Sequence, residues 1–415
     1  MRILIATVLA CGAAWGQGGD QAATKATESM AGSAMKVWPA GAATFKQWGY
    51  EEGVLLDGMT AEWKRTGNRA EFDYVKAAVD KYVTKDGTIQ MDGSGRAYTA
   101  GEHQLDNIEL GRAVLAVYRE THEERYAKAA KFLEGQLAVQ PRTASGGYWH
   151  KQIYPNQMWL DGAYMAEPFR AMYAATFSQP GDFDDIAKQF LLMYEHMRDS
   201  KTGLLKHGWD ESKQMAWADK ATGLSPEVWA RAVGWYCMGL VDTLDWFPKG
   251  NPLRAKLVEE LKGVMAAVVE YQDRENGLWW QVMDRGHQSA HWTDNLPAKP
   301  VLVAEKPAEK GNFIEASASC MFVYALAKGV RMGYLPQKYE ANARQGWAGI
   351  QKKFVTANAD GTVTLTGTVK VGGLGGTPYR SGSYEYYIGE NVVDNDAKGV
   401  GAYLLAGSEM EQVKR

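Results

Sequence analysis

Tyr154-Pro-Asn-Gln-Met-Trp-Leu-Asp-Gly-Ala-Tyr-Met-Ala-Glu167 is mostly apolar and aromatic, and it sets one acid, Asp161, among Trp159, Leu160, Tyr164 and Met165. From Met158 onward no polar face is visible, and a helix that is apolar on every side is a buried one. Asp161 has two uses at the start of such a helix. It can cap the free backbone N–H groups. Or, since a buried carboxylate is costly to ionise, it can carry a raised pKa and hold a proton as a general acid. On this segment alone the cap is the more common use; the rest of the chain reverses that order.

Similar stretches, rich in Gly, Ala, Trp and Met, open near Tyr50, Leu105, Trp229, Ile314 and Lys398, at intervals of roughly 50 to 85 residues. Between them lie charged, amphipathic helical patterns such as residues 70–83 and 126–137, with apolar residues at three- and four-residue steps. Six buried helices ringed by outer partners predict an all-α fold, an (α/α)6 barrel. A helical solenoid gives similar pairs. Strand signals are short, at residues 362–366 and 384–388.

The chain has 415 residues, 46% hydrophobic and 23% charged, with a net charge of -3. That is a globular composition with no basic field for nucleic acid and no polybasic membrane patch. Residues 1–16 carry a charge, a short apolar run and a small-x-small site, the pattern of a signal peptide for export to a bacterial periplasm. Cys11 offers a weaker lipid-anchor alternative. No other stretch reaches membrane-spanning length. Residues 17–35, small and polar, read as a flexible lead-in, and residues 36–415 as one barrel domain, with a monomer the simplest state. Cys237 and Cys320 sit in apolar helical patterns, as buried thiols do. The fifteen Trp and twenty-one Tyr suit sugar stacking but also fill large cores.

Two stretches break the helical rhythm. Residues 285–311 are long and aperiodic and hold His287, His291 and Trp292; a loop of this kind reads as a lid. Residues 367–382 are Gly-rich but lack the Lys-Ser/Thr ending of a phosphate loop and the context of a dinucleotide fold, so the glycines serve a tight backbone path.

Polar residues gather where the buried helices begin: Glu102-His-Gln-Leu-Asp106, Asp161, Trp229-Ala-Arg-Ala-Val-Gly-Trp235, Glu315 and Asp394-Asn-Asp396. In a barrel with parallel inner helices these ends meet at one mouth, where helix N-termini favour anions. Arg231 and Trp235 share a helix face. Arg231 can clamp a carboxylate or simply pair with Glu227. His150 and His207 lie in loops, where a His is often plain surface. The seven His show no metal-ligand spacing, and no Gly-x-Ser-x-Gly nucleophile occurs. No metal and no cofactor is expected.

The residues 154–167 segment, Trp229-Ala-Arg-Ala-Val-Gly-Trp-Tyr236, Leu278-Trp-Trp-Gln-Val282, Glu315-Ala-Ser-Ala-Ser319 and Lys398-Gly-Val-Gly401 together resemble glycoside hydrolase family 105. These are the unsaturated rhamnogalacturonyl hydrolases and related unsaturated glucuronyl hydrolases. The likeness runs from about Trp48 to about Gly407 in ordered blocks, and an (α/α)6 barrel is the fold it implies. The implied reaction removes a 4,5-unsaturated uronic acid from lyase-generated oligosaccharides of rhamnogalacturonan or pectin type by hydrating the double bond. By motif position Asp161 is the general acid and later base, and Asp106 the second acid, near enough to influence its proton. His150, Trp159, His207, Trp229, Arg231 and Trp235 match pocket positions, with Arg231 facing the uronate carboxylate and His207 the ring oxygen or hydroxyls. Residues 285–311 are longer than that pattern predicts. The alternatives are the neighbouring family 88 acting on glycosaminoglycan fragments, and a non-catalytic sugar-binding toroid, which has little use for buried acids.

Overall fold

The computed structural model describes residues 17–40, 45–286 and 311–413, with side chains from residue 26 onward. The expected signal peptide and most of the expected lid, His287, His291 and Trp292 included, lie outside the described residues.

The helices are α1 (Gln17–Val37), α2 (Tyr50–Thr66), α3 (Arg69–Asp80), α4 (Gly111–Thr121), α5 (Glu124–Ala138), α6 (Asp161–Thr176), α7 (Asp182–Met197), α8 (Ala230–Trp246), α9 (Pro252–Glu270), α10 (Ala316–Arg331), α11 (Glu340–Phe354), a short α12 (Tyr384–Gly389) and α13 (Ala397–Met410). Helices α2, α4, α6, α8, α10 and α13 pack each on the next, and α13 returns to α2. The remaining long helices pack outside this ring. This is the (α/α)6 barrel that the helix pairs predict, and the buried segments fall where expected: every residue of α13 is buried. The helix foreseen from Leu105 starts later, at Gly111, after a single 3-10 turn over Leu105–Asn107.

Glycine explains how the inner helices close the ring. A Cβ on Gly401 of α13 would lie 2.2 Å from the Val54 carbonyl oxygen of α2, and one on Gly58 would lie 2.7 Å from the Gly401 oxygen. The two backbones touch, and only a missing side chain permits it.

Two expectations are corrected. The lead-in over residues 17–35 is not irregular: it is α1, packed on α13 and α2 as the sixth outer helix. Thr27, Met30, Ala31 and Ala34 bury one face at three- and four-residue steps. Apart from Met30 these are small residues, which hides the amphipathic signal in the sequence but suits close packing, with Thr27 seated over Gly407. Each hairpin therefore runs outer helix first, inner helix second. Residues 384–388 are helical, not a strand, because the Ser383 hydroxyl caps α12 by accepting from the Tyr386 N–H. The expected strand at 362–366 is present as Val363–Leu365, paired with Val355–Ala357.

The inner helices run in the same sense. Near their N-termini Lys398 Nζ lies 2.9 Å from Glu51, and Arg231 contacts Ser317. Near their C-termini Arg331 pairs with Glu409, and Ser408 donates to Glu62. Toward that C-terminal end charge lines the axis beside a cavity of about 260 Å³: Arg112 bridges Asp57 (2.8 Å) and Asp242 (2.7 Å), and Lys328 bridges Asp242 and Asp245 (2.6 Å each). Buried charges persist only when matched in this way. The opposite end holds the open mouth.

Candidate active site

Two antiparallel segments assemble one wall of the mouth. Strand β1 (Gln157–Trp159) pairs with β2 (Gly208–Asp210), placing Trp159 opposite Gly208. The Leu160 N–H donates to the His207 carbonyl at 3.0 Å. The chain thus delivers His207 to the first turn of α6, which begins at Asp161. His207 Nε2 lies 3.0 Å from Asp161 Oδ2, and His207 Nδ1 lies 2.6 Å from the Tyr387 hydroxyl of α12. His207 has no exposed surface, and Asp161 is 9% exposed.

Asp161 is therefore not a helix cap: it makes no capping hydrogen bond. The recurring acids divide cleanly. Glu315 accepts from the Ala318 N–H and Asp396 from the Lys398 N–H, so these two are caps. Asp106 and Asp161 are not.

Asp106, in the 3-10 turn before α4, forms a second pair. Its Oδ2 is 2.6 Å from Lys151 Nζ and its Oδ1 is 3.2 Å from His150 Nε2. Burial pushes the Asp106 carboxyl up, but the Lys151 ammonium, the His150 ring and their hydrogen bonds win and hold it well below the usual carboxylate range. Asp106 is an anion. Lys151 is its mirror: burial lowers the amine, and Asp106 more than restores it. Asp106 and Lys151 border a cavity of about 550 Å³ that also reaches Trp48, Tyr50, Glu51 and Gln104.

For Asp161 the expected raised pKa is not found. Burial does push it up, as does Asp106, but attraction and hydrogen bonding from His207, with help from His150, leave it below the ordinary value. Burial likewise lowers the His207 ring below its ordinary value, against Asp161. One proton lies between the two groups: attraction draws it to the ring, and burial, which disfavours both charged forms, draws it to the carboxylate. The expectation missed this because the imidazole comes from a segment 46 residues downstream, and only the β1–β2 pairing reveals it.

Aromatic rings frame both acids. His150 stacks on Trp159 (4.7 Å, 17°), Trp159 stacks on Tyr154 (4.7 Å, 18°), and Trp229 stacks on Tyr387 (5.7 Å, 16°). Arg380, from the Gly-rich stretch, lies 5.6 Å from the Trp159 ring and donates to the Tyr154 hydroxyl at 2.7 Å. Glycine is required here: Gly375, Gly376 and Gly382 have φ of 60°, 80° and 68°, and a Cβ on Gly372 would strike the Trp229 ring. Trp235, one turn into α8, meets Tyr50 and Tyr164.

Arg231 is 2% exposed, 4.9 Å from the Trp229 ring, and donates through Nη1 to Ser317 and to the Val369 carbonyl. It has no carboxylate partner within 4.0 Å among the described residues, because Glu227 is taken by Arg285. The Arg231 charge is matched only at a distance, by Asp396 and Glu390 and through Ser317 by Glu315, so a buried guanidinium with no direct carboxylate contact can receive an anionic ligand.

All eight residues singled out in the sequence belong to this mouth, but His207 has both ring nitrogens committed to Asp161 and Tyr387, so it does not offer one to a sugar hydroxyl as expected. Tyr387, Lys151 and Arg380 were missed. Lys151 directly follows His150 in a short exposed-looking loop, and Tyr387 lay in a stretch misread as a strand. No group of three or more His, Cys, Asp or Glu able to hold a metal occurs among the described residues.

The Glycosyl Hydrolase Family 88 profile matches residues 22–295 and 302–414. The break falls within the long 285–311 segment. A solved glycoside hydrolase from family 105 of C. acetobutylicum ATCC 824 is 38% identical and superposes with a TM-score of 0.83 over 93% of this chain and 99% of that one. Protein Atu3128 of Agrobacterium fabrum is 37% identical over 59% of this chain and 97% of its own length. An unsaturated 3S-rhamnoglycuronyl hydrolase of Formosa agariphila is 25% identical over 61% of this chain and 57% of its own length. With its barrel, its paired buried acids and these matches, the chain belongs to the glycoside hydrolases of families 88 and 105, the unsaturated glucuronyl and rhamnogalacturonyl hydrolases.

Proposed function

We propose that this protein releases a 4,5-unsaturated uronic acid from the non-reducing end of rhamnogalacturonan-type oligosaccharides left by a lyase. The observation that carries the reading is the pairing of one buried acid that can gain and lose a proton, Asp161 on His207, with one held as an anion, Asp106 on Lys151 and His150. The similarity to a rhamnoglycuronyl hydrolase supports rhamnose as the next sugar.

Asp161 gives its proton to C4 of the unsaturated ring. Positive charge develops at C5, next to the ring oxygen, and Asp106 stabilises it electrostatically. Water adds at C5 and returns a proton to Asp161. The resulting hemiketal opens and the neighbouring sugar departs. The proton balance closes on Asp161, so no second carboxylate needs to act as a nucleophile. Arg231 receives the uronate carboxylate, and Trp159 and Trp229 hold the ring. Binding an anion beside Asp161 raises its proton affinity, which loads the acid when it is needed.

Purified enzyme mixed with a panel of lyase products tests the reading by loss of the ultraviolet absorbance of the conjugated double bond. Consumption of unsaturated rhamnogalacturonan disaccharide ahead of glycosaminoglycan disaccharides is expected. The opposite order favours the family 88 alternative, and no consumption of any member rejects the proposal.

A further inference from the structure

Neither Tyr387 nor the stretch around it was singled out by its chemistry, yet its phenol is one of the groups that contact His207. The hydroxyl lies 2.6 Å from His207 Nδ1, and Tyr387 is fully buried. Burial pushes its ionisation well above the ordinary phenol range, so it keeps its proton. Among the described residues Nδ1 is the side-chain partner within hydrogen-bond distance of that hydroxyl, and a phenol that keeps its proton can donate it there. The residue is also tightly held. Its ring stacks on Trp229, its backbone carbonyl accepts from Gln281 Nε2 at 3.1 Å, and Gln281 Oε1 accepts from Trp229 Nε1 at 3.3 Å.

A phenol that donates to Nδ1 leaves that nitrogen without a proton of its own. A neutral imidazole must then carry its proton on Nε2 and donate it to Asp161 Oδ2. Oδ2 becomes an acceptor. When Asp161 takes up its catalytic proton, that proton goes to the other oxygen, Oδ1, which makes no hydrogen bond among the described residues. We infer that Tyr387 is a positioning residue that, through His207, selects which oxygen of Asp161 carries the proton delivered to substrate. With the phenol removed, the reverse arrangement becomes accessible: the proton sits on Oδ2 and points at His207 Nε2, away from the sugar. Charged and titratable groups that face this chain of three are His150, Asp106, Arg380, Glu227 and Tyr386.

The kinetic part of this inference rests on the hydration reading above; the ring-proton part does not. Tyr387→Phe keeps the ring stacked on Trp229 and removes only the hydroxyl. Nitrogen-15 NMR of histidine-labelled enzyme at mildly alkaline pH, with His207→Gln to assign the signal, is expected to show Nε2–H for His207 in the wild type and a shift toward Nδ1–H in Tyr387→Phe. The variant's kcat should fall about 10²-fold with KM within about twofold, as expected when a general acid is misdirected rather than lost. Its pH–rate profile should shift as well, which a purely structural role would not cause. A wild-type His207 protonated on Nδ1, or a Tyr387→Phe enzyme with unchanged kcat and tautomer, overturns the assignment. A wild type that shows Nε2–H yet turns over no unsaturated sugar supports the tautomer assignment and sinks the functional reading instead.

Discussion

Asp161 Oδ2 and His207 Nε2 lie 3.0 Å apart, and the ring that links them to Tyr387 has no contact with solvent. Asp161 thus sits in a mostly closed proton circuit with one free oxygen. Replacing Asp161 with Asn keeps the shape and the contact to His207 but removes the transferable proton. Asp161→Asn should lose about 10²- to 10⁴-fold in kcat while its thermal midpoint stays near that of the wild type. Full activity in this variant contradicts the role of Asp161 even if the substrate is right.

The pH dependence has a definite sign. In the free enzyme burial and Asp106 favour the protonated form of Asp161, but His207 and His150 outweigh them and keep its pKa low. Above that pKa the protonated fraction falls about tenfold per pH unit, so kcat/KM should fall as pH rises. A bound uronate adds negative charge and lifts the pKa. The alkaline limb of kcat should therefore lie at higher pH than that of kcat/KM, since the two report the complex and the free enzyme. Initial rates across a pH series check this; coincident limbs remove the electrostatic loading argument.

Arg231 has geometry a lysine cannot copy. It donates to Ser317 and Val369 while lying against Trp229. Arg231→Lys keeps the charge but loses the planar fork, so KM should rise about tenfold or more with a smaller change in kcat. A neutral substrate analogue, the methyl ester, should lose most of the difference between the two enzymes.

Gly401 faces the Val54 carbonyl where α13 meets α2. Gly401→Ala would force apart two backbones that have no side chain to move. It should destabilise the fold by about 1–3 kcal/mol, seen as a lower urea midpoint with an unchanged slope. The same change at exposed Gly95 is not an equivalent control, because its φ of 84° disfavours any side chain; Gly135, with open space around it, is.

Glu167 is buried beside Arg170, and burial, only partly offset by that arginine, raises its carboxyl to about 8. A raised folded-state pKa gives stability that is fully present below the unfolded value near 4.5 and is lost as pH rises through about 8. Glu167→Gln should remove part of that slope. Its thermal midpoint should exceed the wild type's by about 2–4 °C at alkaline pH and match it at acid pH. A parallel offset at every pH counts against the buried-acid explanation.

The barrel was legible because inner helices must be apolar on all sides, and composition records that directly: residues 158–167, 229–240 and 398–407 announce themselves. The sixth outer helix was not, because apart from Met30 the α1 face buries Ala, Thr and Ser, which carry little hydrophobic signal. Asp161, Asp106 and Arg231 could be singled out at helix starts, where side chains reach the mouth. Their company could not.

By itself the sequence determined which segments are buried, and hence the ring of helices, together with the residue types at its mouth; local composition and period suffice for that. Only the tertiary structure decided the chemistry of each acid. Glu315 and Asp396 cap their helices, Lys151 and His150 hold Asp106 as an anion, and His207, itself in contact with Tyr387, lies against Asp161. A carboxyl's proton affinity is set by the charges and dipoles within a few ångströms of it, and here those come from segments far apart in the chain.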